Sequence, residues 1–129
     1  MARELADPAL WEYRSRLLAE MTVARPDVGA LAKAFMAVVE LAGKESGVQR
    51  RRAALLVRLL IQGLDAALTG AAVTSADEER VLQALRALGP DRHVVLIDRC
   101  LAATEQIERR VQLVLVIEAL VSALLVPPT

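Results

Sequence analysis

Residues 40–56 read ELAGKESGVQRRRAALL, and two folds compete for them. Gly43-Lys44 resembles the end of a phosphate-binding loop, which would put a strand before it and a nucleotide beside it. Such a loop needs a glycine five residues before the second glycine, so that bare N–H groups can wrap the phosphates. It also needs a Ser or Thr after the lysine to hold magnesium. The earlier position is Val38 and the residue after Lys44 is Glu45, a carboxylate that repels phosphate. Both requirements fail. What remains is GKESG, glycines bracketing polar residues, which signals a turn between two helices.

Upstream of that turn, Asp27 can cap a helix in which Leu31, Phe35, Val38 and Val39 recur at helical spacing, and Gly43 is a natural stop. Further upstream, Asp7-Pro8 announces another helix with Leu10, Trp11, Leu17, Leu18 and Met21 on one stripe, ended by Arg25-Pro26. Downstream, a third helix is expected from about Val48 to Leu68, with Leu55, Leu56, Leu59, Leu60 and Leu64 inward. Arg50, Arg51 and Arg52 are spread about 100° apart around it, so they form no flat basic face. A solvated turn, partly ion-paired with Glu40, Glu45 or Asp65, is expected in preference to direct nucleic-acid binding. Exposed aromatics and a further basic stripe are missing.

TGAAVT (69–74) reads as a loop. Ser75-Ala76-Asp77-Glu78 reads as a capping box, with Glu78 reaching back to the Ser75 backbone, and its short helix ends at Gly89-Pro90. Asp91 is expected to cap a fifth helix, and helical pattern continues from Val94 to Leu125. EQIERRVQ (105–112) is its one polar interruption, so a kink or break is expected near Arg109–Gln112, a continuous helix being the alternative. Residues 113–117 (LVLVI) are apolar on every side, as in a helix surrounded by neighbours.

The chain has 129 residues and 55% hydrophobic content, with only Trp11, Tyr13 and Phe35 aromatic. A core of Leu, Val, Ile and Ala suits packed helices. The expected architecture is all-α, a single compact bundle of five to six helices spanning 1–129 as one domain. Sixteen basic and sixteen acidic side chains cancel, so no long-range pull on a polyanion exists. Cys100 is alone, which excludes an intramolecular disulfide and makes a reducing cytoplasm the expected compartment. MARELADPALWEY lacks the apolar run of a signal peptide. Residues 111–126 fall short of the ~20 needed to span a bilayer and carry Glu118. A buried helix is expected there, and no membrane partner.

Reactive groups are sparse. His93, the single histidine, is expected at the surface, and Cys100 lies two helical turns from it, about 10 Å along the axis and too far for a nucleophilic pair. No spacing suggests a metal site, and no cofactor or catalytic residue is implied. Asp77-Glu78-Glu79 complement the dipole of their helix. Glu118 carries the most tension: within an apolar helix it is expected to pair with an arginine of another helix or chain, or else to lie on a solvent-facing strip.

Two segments together carry a resemblance. LAKAFMAVVELAGKESGVQRRRAALL (31–56) and VVLIDRCLAATEQIERRVQLVLVIEALVSALL (94–125) resemble the C-terminal helical domain of the delta prime subunit of the bacterial DNA polymerase III clamp loader. Gln106-Ile107, the joint at Arg109–Gln112 and Ile117-Glu118-Ala119 follow the family's order, as do Gly43-Lys44-Glu45 and Arg51-Arg52. Where the family often has Asn-x-Asn in the joint, this chain has Arg110-Val111-Gln112, which removes helix-capping groups. The resemblance implies a collar-like, non-catalytic module that assembles with other clamp-loader subunits in DNA replication. It implies an AAA+ module upstream in a full-length subunit, so that this chain would be a detached or shortened form, or a free-standing relative.

The interface expected on this reading is the last helix, with Val114, Val121 and Leu125 as contacts and Arg109, Arg110 and Glu118 as polar orienters. Clamp-loader subunits or a second copy are the expected partners. A different class stands beside it: a small helical regulator holding a partner helix or apolar ligand in a groove.

Overall fold

The computed structural model describes residues 7–70 and 75–126. Within them lie six helices and no strand: α1 (Pro8–Glu20), α2 (Val28–Glu40), α3 (Ser46–Thr69), α4 (Ala76–Arg86), α5 (Pro90–Glu108) and α6 (Leu113–Leu125). The all-α expectation holds, and residues 40–56 form a helix–turn–helix. The turn closes through Gly43 at φ 110°, a conformation costly for any residue with a Cβ, while Gln49 Nε2 donates to the Gly43 carbonyl at 2.6 Å. Of TGAAVT, expected as a loop, Thr69 is the last residue of α3 and Gly70 its left-handed cap; residues 71–74 lie outside the described residues.

Local caps set most helix starts. The Asp7 carboxylate accepts from the Ala9 N–H at 2.9 Å, Asp27 from Ala30 at 3.0 Å, and the Ser75 hydroxyl from Glu78 at 3.0 Å. Two expectations are corrected here. α5 begins one residue before Asp91, with Gly89 at the cap position and Pro90 at the first helical position, whose missing N–H costs nothing there. The Glu78 side chain does not close its box; it pairs with Arg14 Nη1 at 3.0 Å instead.

α3 is the axle of the bundle. It packs against α1, α2, α4 and α5, and α6 rests on α2 and α5. Arg50 in its first turns reaches the end of α5, whereas Thr69 at its end lines the same depression as His93 at the start of α5, so the two helices run antiparallel. Leu56, Val57, Leu59, Leu60 and Leu64 are completely buried on the axle, facing Leu10, Leu17 and Leu18 of α1, Phe35 and Val39 of α2, Leu82 and Leu85 of α4, and Leu96 of α5 in one core. Tyr13 meets Phe35 edge-to-face at 5.4 Å and donates its hydroxyl proton to the Leu31 carbonyl at 2.6 Å, fastening α1 to α2.

Two buried arginines hold helices to the axle. Arg14 donates from Nε to the Leu59 carbonyl at 3.3 Å and lies 5.1 Å from the Trp11 ring centre. It fits because Gly63 has no side chain: a Cβ there would stand 2.6 Å from Leu18 Cδ1 and 3.1 Å from Arg14 Nη2. Arg52 donates from Nε to the Val38 carbonyl at 2.7 Å and pairs with Asp7 at 2.7 Å, tying the end of α2 and the start of α1 to α3. That hydrogen bond, above all, holds the Asp7 carboxyl below its ordinary value.

Candidate interaction surface

The polar interruption at 105–112 folds as a break, and the details show how it does so without glycine or asparagine. Arg109 N–H donates to the Glu105 carbonyl at 2.9 Å, Arg110 N–H to Ile107 at 3.2 Å, and Val111 N–H to Gln106 at 3.1 Å. The last two bonds make a Schellman ending, in which the residue after the cap must be left-handed. That residue is Arg110 at φ 62°, the one described residue other than glycine with positive φ. Arg50 braces it from outside, donating to the Ile107 carbonyl at 3.0 Å and the Val111 carbonyl at 2.9 Å. Residues 90–125 are therefore two helices folded back as a hairpin, with Val116, Leu120 and Ala123 of α6 beside Gln106, Ala103 and Arg99 of α5.

This arrangement decides which of the expected interface residues can meet a partner. Val121 and Leu125 cannot: both are buried in the bundle, turned toward the core with Val116, Ile117, Leu120 and Leu124. Their placement corrects the expected contact set, because period 3.6 puts 117, 121 and 124 on one side and that side went inward. Val114 is 39% exposed. Arg109 is exposed and paired with Glu105 on its own helix at 2.6 Å, and Arg110 is exposed in the break. Glu118 faces solvent and has no ion pair among the described residues, so an arginine of another helix of this chain is not its partner and it lies on the solvent-facing strip. The expectation that 113–117 is surrounded also fails in part, since Leu115 is 56% exposed.

Leu41 at the end of α2, Val111 in the break, and Val114 and Leu115 on the first turn of α6 were not singled out together by sequence. They belong to one end of the bundle, because Arg50 at the start of α3 joins the α2–α3 turn to the α5–α6 break. There Leu41 is 68% and Val111 40% exposed. The signal that could have found them was tertiary: the α2–α3 turn and the α5–α6 break share one end of the bundle through the packing of α3 on α5 and the Arg50 tie. α6 also starts without a side-chain cap, its first turn held only by Val116 N–H to the Gln112 carbonyl at 3.1 Å.

The chemistry-bearing residues lie elsewhere. His93 is buried, not exposed as expected, with Nε2 2.5 Å from the Leu85 carbonyl, so the ring pins α5 to the end of α4. Cys100 is completely buried, and burial pushes its thiol up to about 12. At that value it is not a thiolate nucleophile at neutral pH. Among the described residues no three His, Cys, Asp or Glu side chains are placed to hold a metal ion, and no helix is long and apolar enough to cross a membrane.

No family model, curated protein or solved structure matches the chain.

Proposed function

We propose that this chain is a non-catalytic helical assembly module that joins partner chains through the end of the bundle formed by the α2–α3 turn, the α5–α6 break and the first turn of α6. The feature that supports this most is the set Leu41, Val111, Val114 and Leu115, four of the eleven large apolar side chains exposed among the described residues, all at one end of the bundle. Apolar surface of this kind is stabilised when a partner covers it, at roughly 25 cal/mol per Å² removed from water. Arg110 and Glu118, both exposed, would orient the contact.

The particular assembly proposed is collar-like, with the partners being clamp-loader subunits; its support is the likeness of residues 31–56 and 94–125 to the delta prime helical domain. Size-exclusion chromatography with light scattering, alone and with separately purified clamp-loader subunits, tests both levels. A larger species that dissociates on Leu115→Glu supports assembly through this end, and one that forms only with those subunits supports the collar. A monomer at high concentration, indifferent to such partners, defeats the reading.

A further inference from the structure

The geometry points to a second docking surface: the groove between α3 and α5 takes an amphipathic helix of a partner protein carrying two acidic residues a heptad apart. The triple arginine supplies the first observation. Arg50 is spent on the α5–α6 break and Arg52 on Val38 and Asp7, but Arg51 is exposed with no hydrogen bond or ion pair among the described residues. Arg58 is exposed and likewise has no hydrogen bond or ion pair among the described residues. Seven residues separate Arg51 from Arg58, two turns, so both stand on one side of α3, about 10 Å apart.

Between them and α5 runs an open groove of about 380 Å³. Ala54, Leu55 and Ile61 line it from α3, and Leu101, Thr104 and Glu108 from α5. Leu101 is 52% exposed at that wall, and the Thr104 hydroxyl is engaged by the Cys100 carbonyl at 3.1 Å. The groove thus offers an apolar floor, two free cations along one wall and one free carboxylate, Glu108, on the other. From Arg51 to Ile61 it is about 15 Å long, room for three turns of helix.

Each feature selects the occupant. The apolar floor between two helices accepts the stripe of a third. The cation spacing matches acidic residues at i and i+7 on the flank facing α3, and Glu108 matches a basic residue on the other flank. Nucleic acid fits worse, because a phosphate row would meet Glu108 and an apolar floor in place of further cations. A second copy's best match is Asp98 and Glu105, at i and i+7 on its own α5, but that Glu105 is already paired with Arg109 at 2.6 Å, and its α6 offers only Glu118. This surface differs from the bundle end proposed for assembly and stands independently of it.

The test is fluorescence anisotropy on the full chain with two labelled amphipathic peptides of roughly four turns. They share one leucine stripe and carry either glutamates or lysines at i and i+7. The glutamate peptide is expected to bind roughly tenfold tighter at low salt, with the preference shrinking as salt rises. Arg51→Glu/Arg58→Glu is expected to invert the preference without lowering the melting temperature, and Leu101→Asp to weaken both peptides. Leu115→Glu, at the other surface, leaves all of this unchanged. Equal affinity for the two peptides, no binding of either, or an unchanged preference in the double variant overturns the proposal. So does a dimer in sedimentation that the double variant abolishes, which would give the groove to a second copy.

Discussion

Arg50 reaches from the start of α3 to the carbonyls of Ile107 and Val111, one on each side of Arg110, and so braces the single left-handed non-glycine residue described in the chain. A left-handed L-residue costs roughly 1–2 kcal/mol, and the two charge-assisted bonds across the break offset it. Arg110→Gly should therefore raise stability by about 0.5–1 kcal/mol, the gain being trimmed by glycine's greater freedom in the unfolded chain. Arg50→Ala should lower it by about 1–3 kcal/mol, since the Val111 carbonyl loses a charged donor and the Ile107 carbonyl keeps only backbone N–H bonds. Urea denaturation of the two variants, alone and combined, measures both; Arg110→Gly is expected to recover part of the Arg50→Ala loss.

The contact between Gly63 and α1 gives a second prediction. A methyl group at this position collides with Leu18 Cδ1, which is buried, and crowds an Arg14 guanidinium already fixed on Leu59 and Glu78. Overpacking of this kind costs about 1–3 kcal/mol, against which alanine's better helix propensity returns up to about 1 kcal/mol. Gly63→Ala should be net destabilising and Gly63→Val distinctly worse, as read by thermal melting. A neutral or stabilising Gly63→Val would show that α1 does not seat so closely on α3.

Both sites show where sequence reasoning stopped. Helix existence was legible because it is a local matter: Asp7, Asp27, Ser75, Gly43 and Gly89-Pro90 mark ends by chemistry available within a turn of the chain. The break at 109–112 was legible as an interruption of pattern, although its means, an arginine in the left-handed position, was not. Long-range ties were invisible. Arg52 looked like part of a solvated turn beside Glu40 and Glu45, yet its carboxylate is Asp7, from the start of the chain. His93 looked exposed beside Arg92, yet its partner is the Leu85 carbonyl of the preceding helix. For Val121 and Leu125, an apolar helix gives little phase: with residues 113–117 apolar all round, which side faces inward is set by α2 and α5.

The Asp7–Arg52 pair predicts a pH-dependent contribution. Asp7→Asn keeps a side chain able to cap α1 but removes the charge facing a buried guanidinium, so it should cost about 1–3 kcal/mol at neutral pH. The Asp7 carboxyl is held below its ordinary value of 3.8, chiefly by the hydrogen bond from Arg52. A depressed folded-state value stabilises the fold fully above the unfolded pKa, and that stability is lost as pH falls through the folded one. The gap between wild type and Asp7→Asn should be constant from neutral pH down to about 5 and close below about 4. Denaturation midpoints across that range check it; a gap that persists unchanged well into acid would mean that the charge of Asp7 contributes nothing.

Cys100 provides a reporter of opening for the α3–α5 pair. Its thiol is completely buried and pushed up to about 12, so neither access nor ionisation favours reaction in the folded chain. Labelling by a thiol reagent at mildly alkaline pH should then proceed only through transient opening, at a rate that follows global or sub-global stability. Gly63→Val, which strains the axle from the α1 side, should speed labelling, and Arg110→Gly should slow it. Glu118→Gln, a change on the solvent-facing strip of α6, should leave the rate where it was. If Cys100 reacts as fast as a free cysteine in the native chain, α5 does not stay seated on α3, and the wall that Leu101 and Glu108 give the groove is not a standing feature of the fold.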